Sequence, residues 1–252
     1  IGSSSFKLVY KARWQQLQGS SADVAILRLR GSGLTEKRDE LEQKAKTFQQ
    51  LGRHPNLLRL LAITVEPSSG DFCLVTELAS KGSLDEILYK FAVEEETLGL
   101  LVQLQVVRQI CDGMVQLSLH EVVHRGLGAR NVLVFSLDAQ DHLGVSVKIA
   151  DYAGWTAQPM RWMAPESIER RQFSQKSDVW AFGLTMWEVW TYGQIPYGST
   201  ITDDALVGSK VVDGERPAAP ASCPAVVYTI MQECWKKEEE ERPSFSELQR
   251  KL

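Results

Sequence analysis

The rhythm of apolar and polar positions changes near residue 80. Before it, 1–14 and 23–29 are rich in Val, Ile, Leu, Tyr and Phe, with Gly/Ser clusters between them, a strand pattern. The stretch 34–51 is highly charged, with Leu41, Ala45 and Phe48 spaced as on one face of a helix. Two further strands read at 57–65 and 71–78. After Lys81-Gly82-Ser83 helices dominate. A short one reads at 84–91. The next, 98–119, carries a stripe of Leu101, Leu104, Val107, Ile110, Met114 and Leu117, which predicts a largely buried helix. The segment 178–192 (DVWAFGLTMWEVWTY) is apolar almost all round and belongs in the middle of the second half. Later helices read at 226–235 and, after Pro243, at 244–252. Glu238–Glu241 reads as a solvated turn. No repeat or low-complexity linker interrupts the chain. The pattern predicts an α+β protein: a sheet with one helix over 1–79, then mainly helices over 80–252.

Composition narrows the classes. A chain of 252 residues, 44% hydrophobic and 24% charged, suffices for one large domain or two tightly joined lobes. The net charge of -4, without a basic stripe, argues against a nucleic-acid partner. Cys73, Cys111, Cys223 and Cys234 are scattered, with no CxxC pair and no clustered His. That excludes a disulfide framework or zinc site and fits reduced thiols in a cytoplasmic setting. No apolar run is long enough to span a bilayer, and no secretory signal opens the chain. The chain begins within a motif and reads as a domain excised from a longer protein.

The motifs carry chemistry. His124-Arg125-Gly126-Leu127-Gly128-Ala129-Arg130-Asn131 is followed by Asp151-Tyr152-Ala153, Ala164-Pro165-Glu166, Ser177-Asp178-Val179-Trp180 and Glu241-Arg242-Pro243. Upstream stand a glycine-containing strand-turn-strand from Ile1 to Tyr10 and Val24-Ala25-Ile26-Leu27. In this order and spacing the set resembles the protein kinase superfamily, whose catalytic loop reads HRDLxxxN. Arg161-Trp162-Met163 and Ala129-Arg130-Asn131 resemble its tyrosine-kinase and tyrosine-kinase-like groups. The resemblance implies a bilobal fold: an N-lobe and hinge over 1–79, with an antiparallel sheet plus one helix, and a mainly helical C-lobe over 80–252.

The departures fall on the chemistry. Gly126 stands where the family places the aspartate that orients the hydroxyl nucleophile, and glycine has no group to do so. Leu27 stands where the family has the phosphate-pairing lysine of VAIK. Its helix partner, a glutamate, aligns with Lys44, Glu42 being the alternative register. Of three loop glycines only Gly2 remains, with Ser4 and Lys7 at the other two positions. One kinase group lacking the VAIK lysine uses a lysine at the position of Lys7. Lys7 therefore either reaches phosphate or points to solvent from its strand.

Other positions keep the pattern. Asn131 and Asp151 match the two metal ligands, hard oxygens suited to Mg2+; Asp151 read alone is also a structural loop carboxylate. Val9, Ala25 and Leu133 match the apolar residues that sandwich adenine, Thr76 the gatekeeper, and Glu77, Leu78 and Ala79 the hinge. Backbone groups at Glu77 and Ala79 would bind the adenine edge. Each apolar match is equally served by core packing. Glu166 and Arg242 resemble a buried ion pair, and Asp178 an acceptor for loop backbone. Phe48, Leu60, His124 and Tyr152 match an apolar stack, and Arg125 matches the residue that grips a phosphorylated loop. Only fourteen residues, 152–165, separate Asp151 from Glu166. Either that loop is short or residues are missing from it, in which case Ala153 is not the motif's third position.

The implied function is that of a pseudokinase, an allosteric regulator or scaffold that binds ATP and Mg2+. It would dock on other protein domains, among them an adjoining active kinase domain. The alternative is a slow or unconventional protein kinase acting on tyrosine or Ser/Thr, using Lys7 for phosphate. An engineered silencing at Gly126 or Leu27 is a third reading, weakened by the number of losses.

Overall fold

The computed structural model describes all residues except 1, 5–6, 16–20, 30–37, 153–158 and 199–202; at 2–4, 7, 38–42 and 44 it describes the backbone alone. Two compact units are present, Ile1–Ser80 and Lys81–Leu252.

The first unit is an antiparallel sheet with one helix. Strands β1 (Gly2–Ser4), β2 (Lys7–Gln15), β3 (Ser21–Leu29), β4 (Leu60–Val65) and β5 (Phe72–Glu77) stand in the order β1-β2-β3-β5-β4. Helix α1 (Arg38–Leu51) lies against β4. Its Ala45, Phe48 and Leu51 are buried at helical spacing, so one apolar face seats it. Leu41 of the expected stripe lies outside the described side chains. β4 begins later than the apolar run suggests. Turn bonds His54 N–H to Leu51 O and Leu57 N–H to His54 O fold the preceding residues, and Leu57 is buried there without joining the strand.

The second unit contains α2 (Leu84–Val93), α3 (Leu100–Leu119), a hairpin of β6 (Val132–Ser136) and β7 (Ser146–Ile149), then α4 (Pro165–Arg170), α5 (Gln175–Trp190), α6 (Asp204–Val212), α7 (Ala225–Cys234) and α8 (Phe245–Lys251). Every residue of α5 from Ser177 to Trp190 is buried, which is why its pattern shows no polar face. Ser174 caps it, its hydroxyl accepting from Lys176 N–H and Ser177 N–H. Midway, Gly183 lets α7 close in: a Cβ there would stand 2.7 Å from Trp235 Nε1 and 2.8 Å from Cys234 Cβ. The buried face of α3 differs from the expected stripe. It runs through Gln103, Val106, Val107, Ile110, Met114 and Leu117, whereas Leu101 is 60% exposed. Gln103 is tolerated inside because its amide donates to Val189 O of α5.

Glu166 and Arg242 form the buried ion pair the sequence suggests, with two parallel bonds of 2.7 and 2.8 Å. Arg242 also donates to Lys176 O, Lys236 O and Lys237 O and lies over the ring of buried Trp180. The fold is thus α+β, with an antiparallel sheet plus one helix in the first unit and mostly helices in the second. No described helix is long and apolar enough to cross a membrane.

Candidate functional site

The loop 124–131 is held from beneath by α5. Asp178, one turn into that helix, accepts from His124 N–H (2.6 Å) and Arg125 N–H (3.0 Å) through its two oxygens. Burial pushes the Asp178 carboxyl up to about 7, against the pull of those two donors. His124 is buried, with Nε2 bonded to Ala150 O at 3.0 Å. Burial pushes it down to about 4, the Asp151 charge acting the other way. It is therefore a neutral packed histidine, not an acid or base at neutral pH. Arg125 is exposed and lies 5.7 Å over the Phe173 ring.

Asn131 and Asp151 are brought together through backbone. Ala150, the residue before Asp151, donates its N–H to Asn131 O at 2.8 Å. Asn131 Nδ2 donates to Gly126 O at 2.6 Å, which turns Oδ1 into the amide atom able to meet a cation. Asp151 is buried and sits at φ 65, as Arg125 does at φ 62. Such left-handed conformations cost energy in non-glycine residues and persist where the surroundings impose them. No cluster of three or more His, Cys, Asp or Glu able to hold a metal is found among the described residues. The oxygen pair Asn131 and Asp151 fits Mg2+, which binds through few protein oxygens and completes its shell with water and phosphate.

Gly126 itself is not demanded by the backbone. It lies outside the left-handed region, and a Cβ there would meet Asn131 Nδ2 at 3.6 Å and His124 Nδ1 at 3.7 Å, ordinary contact distances. The position accommodates a Cβ that the sequence does not supply.

In the first unit the register sets the other positions. Val9 pairs with Leu27 and Leu27 with Leu74, so these three share one sheet face; Ala25 pairs with Thr76 on the same face. Leu27 is half-buried beside fully buried Leu74. Position 7 pairs with Leu29, two residues along β2 from Val9, and Gly2 pairs with Val9. The side chain of Lys7, like those of Lys44 and Glu42, lies outside the described residues, as do Ala153, Gly154, Trp155 and Thr156. Thr76 is buried, its hydroxyl donating to Glu77 O. Glu77 N–H donates to Arg59 O at 3.2 Å. Ala79 is half-buried. In the second unit Leu133 bridges to Ser83, which fixes β6 at the start of α2.

The structure adds a group that the motifs did not single out. Glu188, near the end of α5, accepts through Oε2 from Ala129 N–H and from Trp162 Nε1, both at 3.0 Å. Burial pushes its carboxyl up to about 7. Arg130 lies 4.7 Å over the Trp162 ring. The signal was present in the sequence as an acidic residue deep in a mostly apolar helix, where a buried charge needs partners. The Arg161 side chain is buried as well, reaching Asp204, Pro196 O and Gly198 O.

Loop, anchoring carboxylates and ion pair together define a protein-kinase domain. The chain belongs to the family described as protein tyrosine and serine/threonine kinase, whose model matches residues 1–252. Among curated relatives, the tyrosine-protein kinase Srms of Homo sapiens is 38% identical over 253 residues, covering 95% of this chain and 48% of that protein. The tyrosine-protein kinase transmembrane receptor Ror of Drosophila melanogaster is 30% identical over 267 residues, 100% of this chain and 37% of its own length. Tyrosine-protein kinase Abl of Drosophila melanogaster is 34% identical over 266 residues, 100% of this chain and 15% of its own. The chain thus spans half or less of the length of these relatives.

Proposed function

We propose that this domain is a pseudokinase: a kinase-family domain with impaired phosphoryl transfer that regulates or scaffolds other protein domains, an adjoining active kinase domain among them. The observation that carries the proposal is Gly126. Its position has space for a Cβ and an unexceptional backbone, yet it offers nothing to align a hydroxyl or accept its proton. General-base catalysis contributes ~10²–10⁴-fold in rate, and its loss leaves transfer slow. Leu27, sharing a face with Val9 and Leu74, removes a phosphate-pairing cation as well.

Nucleotide binding is retained in this reading. Asn131 and Asp151 would hold Mg2+, which neutralises phosphate charge, and Val9, Ala25, Leu133, Thr76, Glu77 and Ala79 keep the residue types the family uses against adenine. Bound ATP then acts as a ligand that stabilises the folded domain by mass action. The free cysteines, three of them buried, support a reducing, cytoplasmic location.

A second reading has one observation in its favour. Position 7 lies on the same sheet face as positions 9 and 27 by register, which supports a reading in which a lysine there substitutes for the cation missing at Leu27. In that case the domain is a slow protein kinase. A transfer assay on the purified protein with a tyrosine- and serine-containing peptide pool decides. Turnover at ~1–100 s⁻¹, ordinary for kinases, overturns the pseudokinase proposal. Slow turnover abolished by Lys7→Ala establishes the second reading. Neither phosphorylation nor a Mg·ATP-dependent rise in Tm leaves a scaffold without nucleotide.

A further inference from the structure

We infer that Glu188 is a positioning residue for Asn131, capping from another helix the short turn that carries this amide. Residues Ala129–Asn131 form one 3₁₀ turn, closed by Asn131 N–H to Gly128 O at 2.9 Å and Val132 N–H to Ala129 O. Such a turn leaves N–H groups at its start without a partner inside it. The residue before it, Gly128, has no side chain to cap them. The carboxylate of Glu188 accepts from the first of them, Ala129 N–H, at 3.0 Å. From the other end, Ala150 N–H donates to Asn131 O at 2.8 Å. The turn is therefore held at both ends, by α5 and by the residue preceding Asp151.

The glycine has a second consequence. A Cβ at 128 would lie 3.2 Å from Trp162 Nε1. Its absence lets the indole come alongside the loop and donate to the same oxygen of Glu188. Arg130, inside the turn, covers the Trp162 ring at 4.7 Å. One buried carboxylate oxygen thus joins the loop, the segment before Ala164-Pro165-Glu166, and α5. With Asn131 Nδ2 on Gly126 O, the direction of Oδ1 follows from where this turn is seated. Glu188 touches neither metal nor nucleotide and acts through Asn131. The effect on ligand affinity rests on the proposed binding of Mg·ATP by Asn131; the effect on the Asn131 amide does not.

The test pairs spectroscopy with ligand titration on the whole protein. The ¹⁵N spectra of wild type, Glu188→Gln, Glu188→Ala, Trp162→Phe and Gly128→Ala are compared at the Asn131 side-chain amide and the Trp162 indole N–H. Thermal-shift titrations with Mg·ATP and with Mn2+ alone follow. Glu188→Ala is expected to move both signals and weaken Mg·ATP about tenfold, the size of losing a group that orients a metal ligand. Glu188→Gln keeps an acceptor oxygen and is expected to restore the Asn131 signal and most of the affinity. Trp162→Phe and Gly128→Ala, milder changes available if Glu188→Ala does not fold, are expected to give smaller shifts in the same direction. An unmoved Asn131 amide in folded Glu188→Ala, or in the two milder variants, overturns the inference, and so does a Gln variant indistinguishable from Ala. If wild type binds no Mg·ATP, nucleotide binding fails by itself, and the Asn131 signal alone decides the role of Glu188.

Discussion

The loop 124–131 has two sides with different histories. Its underside is tied to α5 by Asp178 and Glu188, which together take three backbone N–H groups. Its other side carries Gly126, where a Cβ would meet only ordinary contacts. The comparison teaches that two demands act on one loop. Buried carboxylates with backbone partners stabilise the fold, and removing one partner strands the others in a medium that cannot hydrate them. A side chain at position 126 takes part in none of those bonds, so its absence leaves these ties intact.

Four predictions break or sharpen that contrast. The largest effect belongs to the deepest staple. Arg242→Ala strands Glu166, 4% exposed, and is expected to cost about 3–5 kcal/mol, read as a lower urea midpoint at unchanged m-value. Next comes helix packing: Gly183→Ala drives a methyl toward Trp235 and Cys234 and should cost about 1–3 kcal/mol in the same experiment. An unchanged midpoint would show that α7 slides away freely.

The third prediction is a pH dependence. Glu188 and Asp178 both titrate near 7 when folded, against ordinary values of 4.5 and 3.8. The folded state therefore binds more protons at these sites. Their stabilising contribution is full below about 4 and lost as pH rises through about 7. His124, held down to about 4 from 6.5, acts in the opposite direction, losing stability as pH falls from 6.5 toward 4. Two acids against one base leave Tm falling from pH 5 to 7. Glu188→Gln is expected to flatten that fall, and a slope equal to wild type would remove Glu188 from the account. The smallest expected effect is Gly126→Ala on the fold: within about 1 kcal/mol, since the added Cβ meets only ordinary contacts and the backbone is outside the left-handed region. A large destabilisation there would mean that the two sides of the loop are not independent.

Some elements were legible because their signals are local. The strand runs at β2, β3 and β5 and the helix rhythm of α1 needed no partner to be read. Others became visible only in three dimensions. The β6–β7 hairpin alternates buried Val132 and Val134 with half-buried neighbours, yet its strands are too short to stand out beside the motif they follow. α6, nine residues long, is too short for its apolar rhythm to stand out. Leu101 looked like core and is exposed, because which face of α3 is buried depends on where α5 lies, and Gln103 found a carbonyl there. The motif residues were legible by order and spacing; Glu188 was not, since its partners lie 59 and 26 residues away.

The sequence by itself determined the family, the α+β division and the missing chemical groups at Gly126 and Leu27, because each of these is a matter of residue identity in order. Only the tertiary structure decided that the backbone at position 126 does not require glycine, that His124 is a neutral core residue, and that Glu188 anchors the loop. Those properties depend on burial and on donors brought close from distant parts of the chain, which no local pattern encodes.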